Sequence, residues 1–133
     1  MIEPPKDAEL IKFKKHIFWF DSNEILYSKS ISSDLTSIED IREFTEYFIE
    51  RLQGKKVCIL LDFSNVSQST KEIRDYVSSQ FPKIALAVAM VSKTPLGRMM
   101  ANLFFNLKKN PYATKMFNNA DEAQEWLKKY LLG

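Results

Sequence analysis

The first forty residues show two apolar runs of strand length separated by turn-forming residues. The segments 10–20 and 24–31 are rich in Ile, Phe, Trp and Tyr, residue types that are enriched in β-strands. Asp21-Ser22-Asn23 lies between them. Two such runs across a short polar turn are typical of a β-hairpin, so an antiparallel hairpin is predicted to open the fold.

Three further strands are predicted after the hairpin. The segments 57–63 and 84–91 are nearly unbroken apolar runs, the pattern of strands that are buried on both faces of a parallel sheet. The segment 113–117 is a shorter run that we also interpret as a strand.

Four stretches of helical period separate and follow these strands. Hydroxyl or amide residues stand where N-terminal caps are expected: Thr36, Ser69, Thr94 and Asn119. The third helix has Pro95 in its first turn, and its periodicity predicts an inward apolar stripe: Leu96, Met99, Met100, Leu103, Phe104 and Leu107. The predicted order is β-β-α-β-α-β-α-β-α, a mixed α/β sheet opened by an antiparallel hairpin and flanked by four helices.

The chain is one domain in length, since 133 residues can bury a single core. Residues 1–9 contain Pro4 and Pro5 among polar positions, and we predict that they form a flexible N-terminal arm. Residues 10–133 are then the α/β domain.

The scarcity of Cys, His and Gly excludes several common kinds of site. One Cys permits no disulfide within the chain, one His permits no multi-histidine metal centre, and three Gly leave no glycine-rich phosphate-binding motif. We interpret Cys58 as a small buried apolar residue and His16 as an edge-strand residue rather than a base. No catalytic constellation, cofactor or metal is therefore predicted, and the protein is not expected to be an enzyme.

Charge is distributed unevenly although the formal net charge is only +2. Residues 1–66 hold nine Lys and Arg against twelve Asp and Glu, a net −3, whereas residues 67–133 hold ten against five, a net +5. The segment 76–120 contains no acidic residue. Such a region attracts anionic groups, unless its charges simply hydrate scattered surface positions.

Polar residues follow both long apolar runs. In α/β sheets, ligands bind beyond the carboxyl ends of parallel strands, where the N-termini of helices favour anions. The candidate phospho-acceptor or anion-binding edge therefore consists of these residues: Asp62, Ser64, Ser69, Thr70, Lys93 and Thr94. The other interpretation is that Ser69 and Thr94 are ordinary helix caps.

One aromatic residue of the third helix falls outside its predicted apolar stripe. Phe105 lies among the polar positions Arg98 and Lys109, and a large apolar side chain on a polar face is typical of an interaction site. We therefore predict an interface that includes Arg98, Phe105 and Lys109. A second copy of the chain, another protein or a lipid surface would cover it, unless this chain's own arm does.

The segment Val57 to Val66, VCILLDFSNV, resembles the signature strand of STAS domains, the fold of anti-sigma-factor antagonists. Asp62, Phe63, Ser64 and Val66 match the end of that strand, and Ser69 and Thr70 fall near the family's phosphorylatable hydroxyl. The segment 115–127 is similar to the final strand and helix of STAS-like chains. The family's Asp-Ser-[Ser/Thr]-Gly is replaced here by Gln-Ser-Thr-Lys.

This resemblance implies a stand-alone, non-enzymatic regulatory domain that acts through protein–protein contacts. The alternative is a carrier of a small ligand or lipid, for which ten Phe and five Met would line an apolar cavity. Nucleic-acid binding is the third alternative, because no aromatic residues interleave with the basic ones. No window approaches the roughly 20 apolar residues that span a bilayer, and a cytoplasmic location is expected.

Overall fold

The computed structural model describes residues 2–31, 37–62, 70–104 and 111–131, with the backbone alone for residues 100–104. The strands are β1 (Ile11–Lys12), β2 (His16–Phe20), β3 (Leu26–Ser30), β4 (Val57–Asp62), β5 (Ala85–Val91) and β6 (Ala113–Phe117). The helices are α1 (Ile38–Leu52), α2 (Lys71–Gln80), α3 (Pro95–Phe104) and α4 (Ala120–Leu131). A short 3₁₀ turn, Phe81–Lys83, follows α2.

The strands form one mixed sheet in chain order, β1-β2-β3-β4-β5-β6. The pairs β1–β2 and β2–β3 are antiparallel, and the pairs from β3 to β6 are parallel. The predicted α/β class, with its N-terminal hairpin and four helices, is confirmed. The parallel neighbours β4 and β5 end at the same edge of the sheet, where Asp62 lies opposite Val91.

The two faces of the sheet have separate cores. On the first face, α1 and α2 cover a cluster that includes Phe18, Phe48 and Val88, and α3 packs beside α2. On the second face, α4 covers Cys58, Leu60 and neighbouring residues. We call these the α1/α2 face and the α4 face. Alternate residues of each strand point to opposite faces.

The N-terminal hairpin differs from the prediction in one respect. The segment 10–20 is two strands rather than one, because the chain reverses at residues 13–15 and the amide of Phe13 donates to the carbonyl of His16 (2.8 Å). His16 therefore begins an inner strand, and its interpretation as an edge-strand residue was wrong. The two cations Lys14 and Lys15 interrupt the apolar pattern at the reversal, which is the signal that marks the break.

Two of the four helix caps are displaced by one residue from the predicted positions. Ser37 rather than Thr36 caps α1, with reciprocal hydrogen bonds to Asp40, and Thr70 rather than Ser69 caps α2. In both cases two hydroxyl residues are adjacent in sequence, and either satisfies the capping pattern. Thr94 and Asn119 cap α3 and α4 as predicted.

The predicted inward stripe of α3 is wrong at its first two positions. Leu96 is 42% exposed and Met99 is 52% exposed, whereas Gly97 between them is buried. Residues three apart share one face of a helix, and here that face is turned to solvent. The helical spacing of apolar residues identifies such a stripe, but it does not show whether other elements of the protein pack against it.

Residues 2–10 lie along the α4 face in the structure. Ile2 is buried in the core of that face, and Ala8 and Leu10 are partly buried against it. The flexibility of this arm stays a prediction.

Candidate functional site at the carboxyl edge of the sheet

The carboxyl ends of β4 and β5 form the edge at which the candidate residues were predicted to converge. The two strands pair in parallel and end together, with Asp62 opposite Val91. Of the six candidates, Asp62, Thr70, Lys93 and Thr94 are described, while Ser64 and Ser69 lie outside the described residues. Whether these groups form a phospho-acceptor or anion-binding edge stays a prediction.

The hydroxyl groups at the start of α3 have structural partners. Ser92 is fully buried, and its Oγ accepts a hydrogen bond from the amide of Thr94 (3.2 Å). Thr94 Oγ1 in turn accepts from the amide of Gly97 (3.0 Å). These two hydroxyls satisfy backbone donors in the first turn of α3. Lys93 between them is exposed and presents its side chain to solvent.

The hydroxyl of Thr70 has a similar capping role at the start of α2. Its Oγ1 accepts from the amide of Ile73 (3.2 Å), and Thr70 itself is exposed. An exposed cap is accessible to a modifying enzyme, and a phosphoryl group at a helix N-terminus is stabilised by the helix dipole.

The α3 surface is the second candidate site, and we define it by Lys93, Leu96, Arg98 and Met99. All four residues are exposed. The guanidinium of Arg98 donates to Asn118 Oδ1 at the end of β6, which holds it beside the carboxyl edge. Sequence reasoning missed Leu96 and Met99 as candidates because their spacing indicated a core stripe. The sequence feature that could have identified them as surface residues is their position in the segment 76–120, which contains no acidic residue.

The other two predicted interface residues, Phe105 and Lys109, lie outside the described residues. The part of the predicted interface that the structure describes is Arg98, which is exposed as the prediction requires.

His16 is half-buried, beside the aromatic rings of Phe18 and Phe44. Desolvation lowers its pKa to about 4, and nearby Asp40 opposes this effect while Lys15 adds to it. Its Nδ1 is buried and has no hydrogen-bond partner within the described part of the chain. The imidazole is therefore neutral at pH 7.

Cys58 is fully buried, as predicted, and its thiol points to the carbonyl oxygen of Leu127 in α4 (Sγ to O, 3.6 Å). Burial raises the pKa of this thiol to about 11. A protonated thiol in an apolar environment is not a nucleophile at neutral pH.

Among the residues that the structure describes, no three His, Cys, Asp or Glu side chains gather as a metal site would require. None of the helices in these ranges has the length and apolar character needed to cross a membrane.

Comparison with known proteins gives a family and a fold. A family model described as "Domain of unknown function (DUF7793)" matches residues 18–131. The chain is also similar to the solved structure of an uncharacterised protein of the DUF3478 family with a SpoIIAA-like fold, from Shewanella loihica PV-4. The TM-score is 0.55 and the sequence identity 17%, over 90% of this chain and 91% of that chain. No curated protein matches. The SpoIIAA-like fold is the STAS-like fold, so the resemblance stated from the strand ending in DFSNV is confirmed at the level of fold.

Proposed function

We propose that this chain, which belongs to the family described as the domain of unknown function DUF7793, is a non-enzymatic STAS-like regulatory domain that acts through protein–protein contacts. The observation that supports the proposal is the exposure of Leu96 and Met99 on one face of α3. The fold supplies the scaffold, but fold alone does not determine function.

The α3 surface fits a partner of particular chemistry. Two exposed cations, Lys93 and Arg98, lie within three residues of Leu96 in sequence, in the acid-free segment 76–120. A complementary protein surface therefore has an apolar centre and carboxylates around it, because opposite charges steer association and exclude partners of the wrong sign. Covering the exposed half of each apolar side chain stabilises the complex by about 1 kcal/mol per residue.

The proposal extends to residues whose role is untested. Phe105 and Lys109 would form a second part of the interface together with Arg98, as the sequence predicts. Ser64, Ser69 or Thr70 would accept a phosphoryl group that changes the charge of the adjacent edge. Mass spectrometry of the protein isolated from its native cytoplasm tests this modification: a phosphopeptide that maps to the segment 64–70 supports it, and full coverage of that segment without phosphate contradicts it.

The experiment that tests the proposal compares two variants that place the same charge on different exposed helix positions. Met99→Asp changes the α3 surface, whereas Leu131→Asp changes a residue of α4 that is 38% exposed and lies on the other face of the sheet. We expect a stoichiometric partner to co-purify with the wild type and with Leu131→Asp, and to be lost from Met99→Asp. Equal retention by both variants contradicts the proposal, as does a strictly monomeric wild type without a partner.

The same purification distinguishes two related outcomes. If the stoichiometric partner is a second copy of the chain, the regulatory contact is a homodimer. If native mass spectrometry instead detects a small molecule retained by a monomer, the carrier alternative replaces the proposal.

A further inference from the structure

Ile2 and Glu3 lie against the ends of β3 and β4 on the α4 face, and we call the surface that they cover the groove. The side chain of Ile2 is 7% exposed and belongs to the core cluster that includes Tyr27 and Leu60. The rest of the segment is largely polar, with Pro4 and Pro5 directly after the two anchored residues. Ile2 is therefore the buried anchor of this segment, and Ala8 and Leu10 are partly buried against the same cluster.

Polar contacts hold the same two residues. The amide of Ile2 donates to Asp62 Oδ2 (3.2 Å), and the carboxylate of Glu3 pairs with Lys29 (Oε1 to Nζ, 2.7 Å). Lys29 and Asp62 are opposite each other on β3 and β4, so the groove presents one cation and one carboxylate side by side. The Lys29 side chain is 14% exposed and that of Glu3 is 70% exposed.

Each contact selects a different feature of the bound segment. The apolar cluster around Ile2 selects an aliphatic side chain. Asp62 selects the backbone amide of that residue, and Lys29 selects a carboxylate on the next residue. Any extended chain with an aliphatic residue followed by Asp or Glu supplies all three features. The residues that line the groove belong to strands of the sheet, whereas the bound residues belong to a segment without helix or strand, and such segments detach more readily than strands do.

We propose that this groove is a binding site for an extended aliphatic–acidic segment of a partner protein, and that the chain's own residues 2 and 3 occupy it in competition. The N-terminal segment is then an autoinhibitory contact. The partner's apparent affinity is then its intrinsic affinity multiplied by the fraction of molecules in which the groove is free. This site lies on the opposite face of the sheet from the α3 surface, so the inference goes beyond the proposed function.

The test uses the full-length chain and a fluorescent peptide that copies residues 1–6. The released variant combines Ile2→Ser with Glu3→Gln, which removes the anchor and the carboxylate while leaving the groove intact. We expect the released variant to bind the peptide roughly tenfold more tightly than the wild type, because the wild-type groove is already occupied. Far-UV circular dichroism and urea unfolding confirm that both chains are folded.

A charge exchange tests the assigned contact. In the released variant, Lys29→Glu is expected to abolish binding of the copied peptide, and a peptide with Lys in place of Glu3 is expected to restore it. Lys12→Glu, which makes the same change at an exposed residue of β1, is the matched control and is expected to leave binding unchanged. Rescue by the exchanged pair cannot result from misfolding.

Three results would overturn the inference. The first is that the released variant binds the peptide no more tightly than the wild type, and the second is that Lys29→Glu binds it as well as its control. The third is a wild-type dimer, detected by light scattering and lost in the released variant, which would assign the groove to a second copy of the chain by exchange of N-terminal segments. None of these variants alters the α3 surface, so such a failure leaves the proposed function standing.

Discussion

Acidification from pH 7 to pH 4 is expected to destabilise this protein chiefly through one residue, His16. The pKa of the imidazole falls from 6.5 to about 4 on folding, mainly because burial desolvates the charged form. Below pH 6.5 the unfolded chain therefore binds a proton that the folded chain does not. The free energy of unfolding decreases as pH falls through this window, by about 3 kcal/mol in total at 1.36 kcal/mol per pKa unit.

The carboxylate that faces His16, Asp40, titrates below the pH range in which His16 changes the stability. Asp40 forms an ion pair with Lys15 (3.3 Å). Burial raises the pKa of Asp40. Hydrogen bonds from Ser37 and the interaction with Lys15 together lower it by more, so the net shift of the pKa is downward. A carboxylate with a lowered pKa loses its stabilising contribution below the unfolded value of 3.8. Between pH 6.5 and pH 4 the change is therefore assigned to His16.

Urea unfolding at several pH values, on the wild type and on His16→Gln, measures this effect. The variant replaces the imidazole with a polar group that does not titrate, and its stability is expected to be nearly constant between pH 6.5 and pH 4.5. The chain contains one histidine, so the imidazole resonance in a nuclear magnetic resonance titration is unambiguous. A midpoint above pH 6, or an equal loss of stability in His16→Gln, would refute the reasoning.

Three other substitutions or reactions test the local contacts. Tyr27→Phe removes a hydroxyl that donates to Asp21 (2.9 Å) and accepts from Gln124 (2.6 Å), so we expect urea unfolding to show a loss of about 1–2 kcal/mol; no loss would contradict the assigned bonds. Thr70→Ala is expected to cost about 1 kcal/mol and Thr70→Ser almost nothing, because only the hydroxyl caps α2. Cys58 is expected to react with iodoacetamide at pH 8 only when the chain unfolds; rapid alkylation of the folded protein would show that the thiol is accessible.

The central strands were predictable because their physical cause is visible in the sequence. The segments that form β4 and β5 are nearly unbroken apolar runs, and such runs arise when both faces of a strand are covered. Their parallel order followed from the helical stretches between them. The common end of β4 and β5 was predictable for the same reason, since parallel neighbours end at one edge of the sheet.

The remaining features depend on tertiary contacts that no local pattern encodes. Leu96 and Met99 have the spacing of a core stripe, but whether a helix face is covered depends on which elements pack against it. Ile2 is one apolar residue in a polar segment and produces no period, so its burial was not foreseeable. Adjacent hydroxyls such as Ser69 and Thr70 are equivalent as caps until the path of the chain selects one of them.

Site-specific photo-crosslinking in cells tests the central claim, a protein partner on the α3 surface, most directly. A photoreactive amino acid is placed at Met99 in one protein and at Leu131 in another, since both positions are exposed helix residues. The account predicts one major crosslinked protein from position 99, attached through a segment with apolar and acidic residues, and no such product from position 131. The absence of a product at position 99, or the same product from both positions, would contradict it.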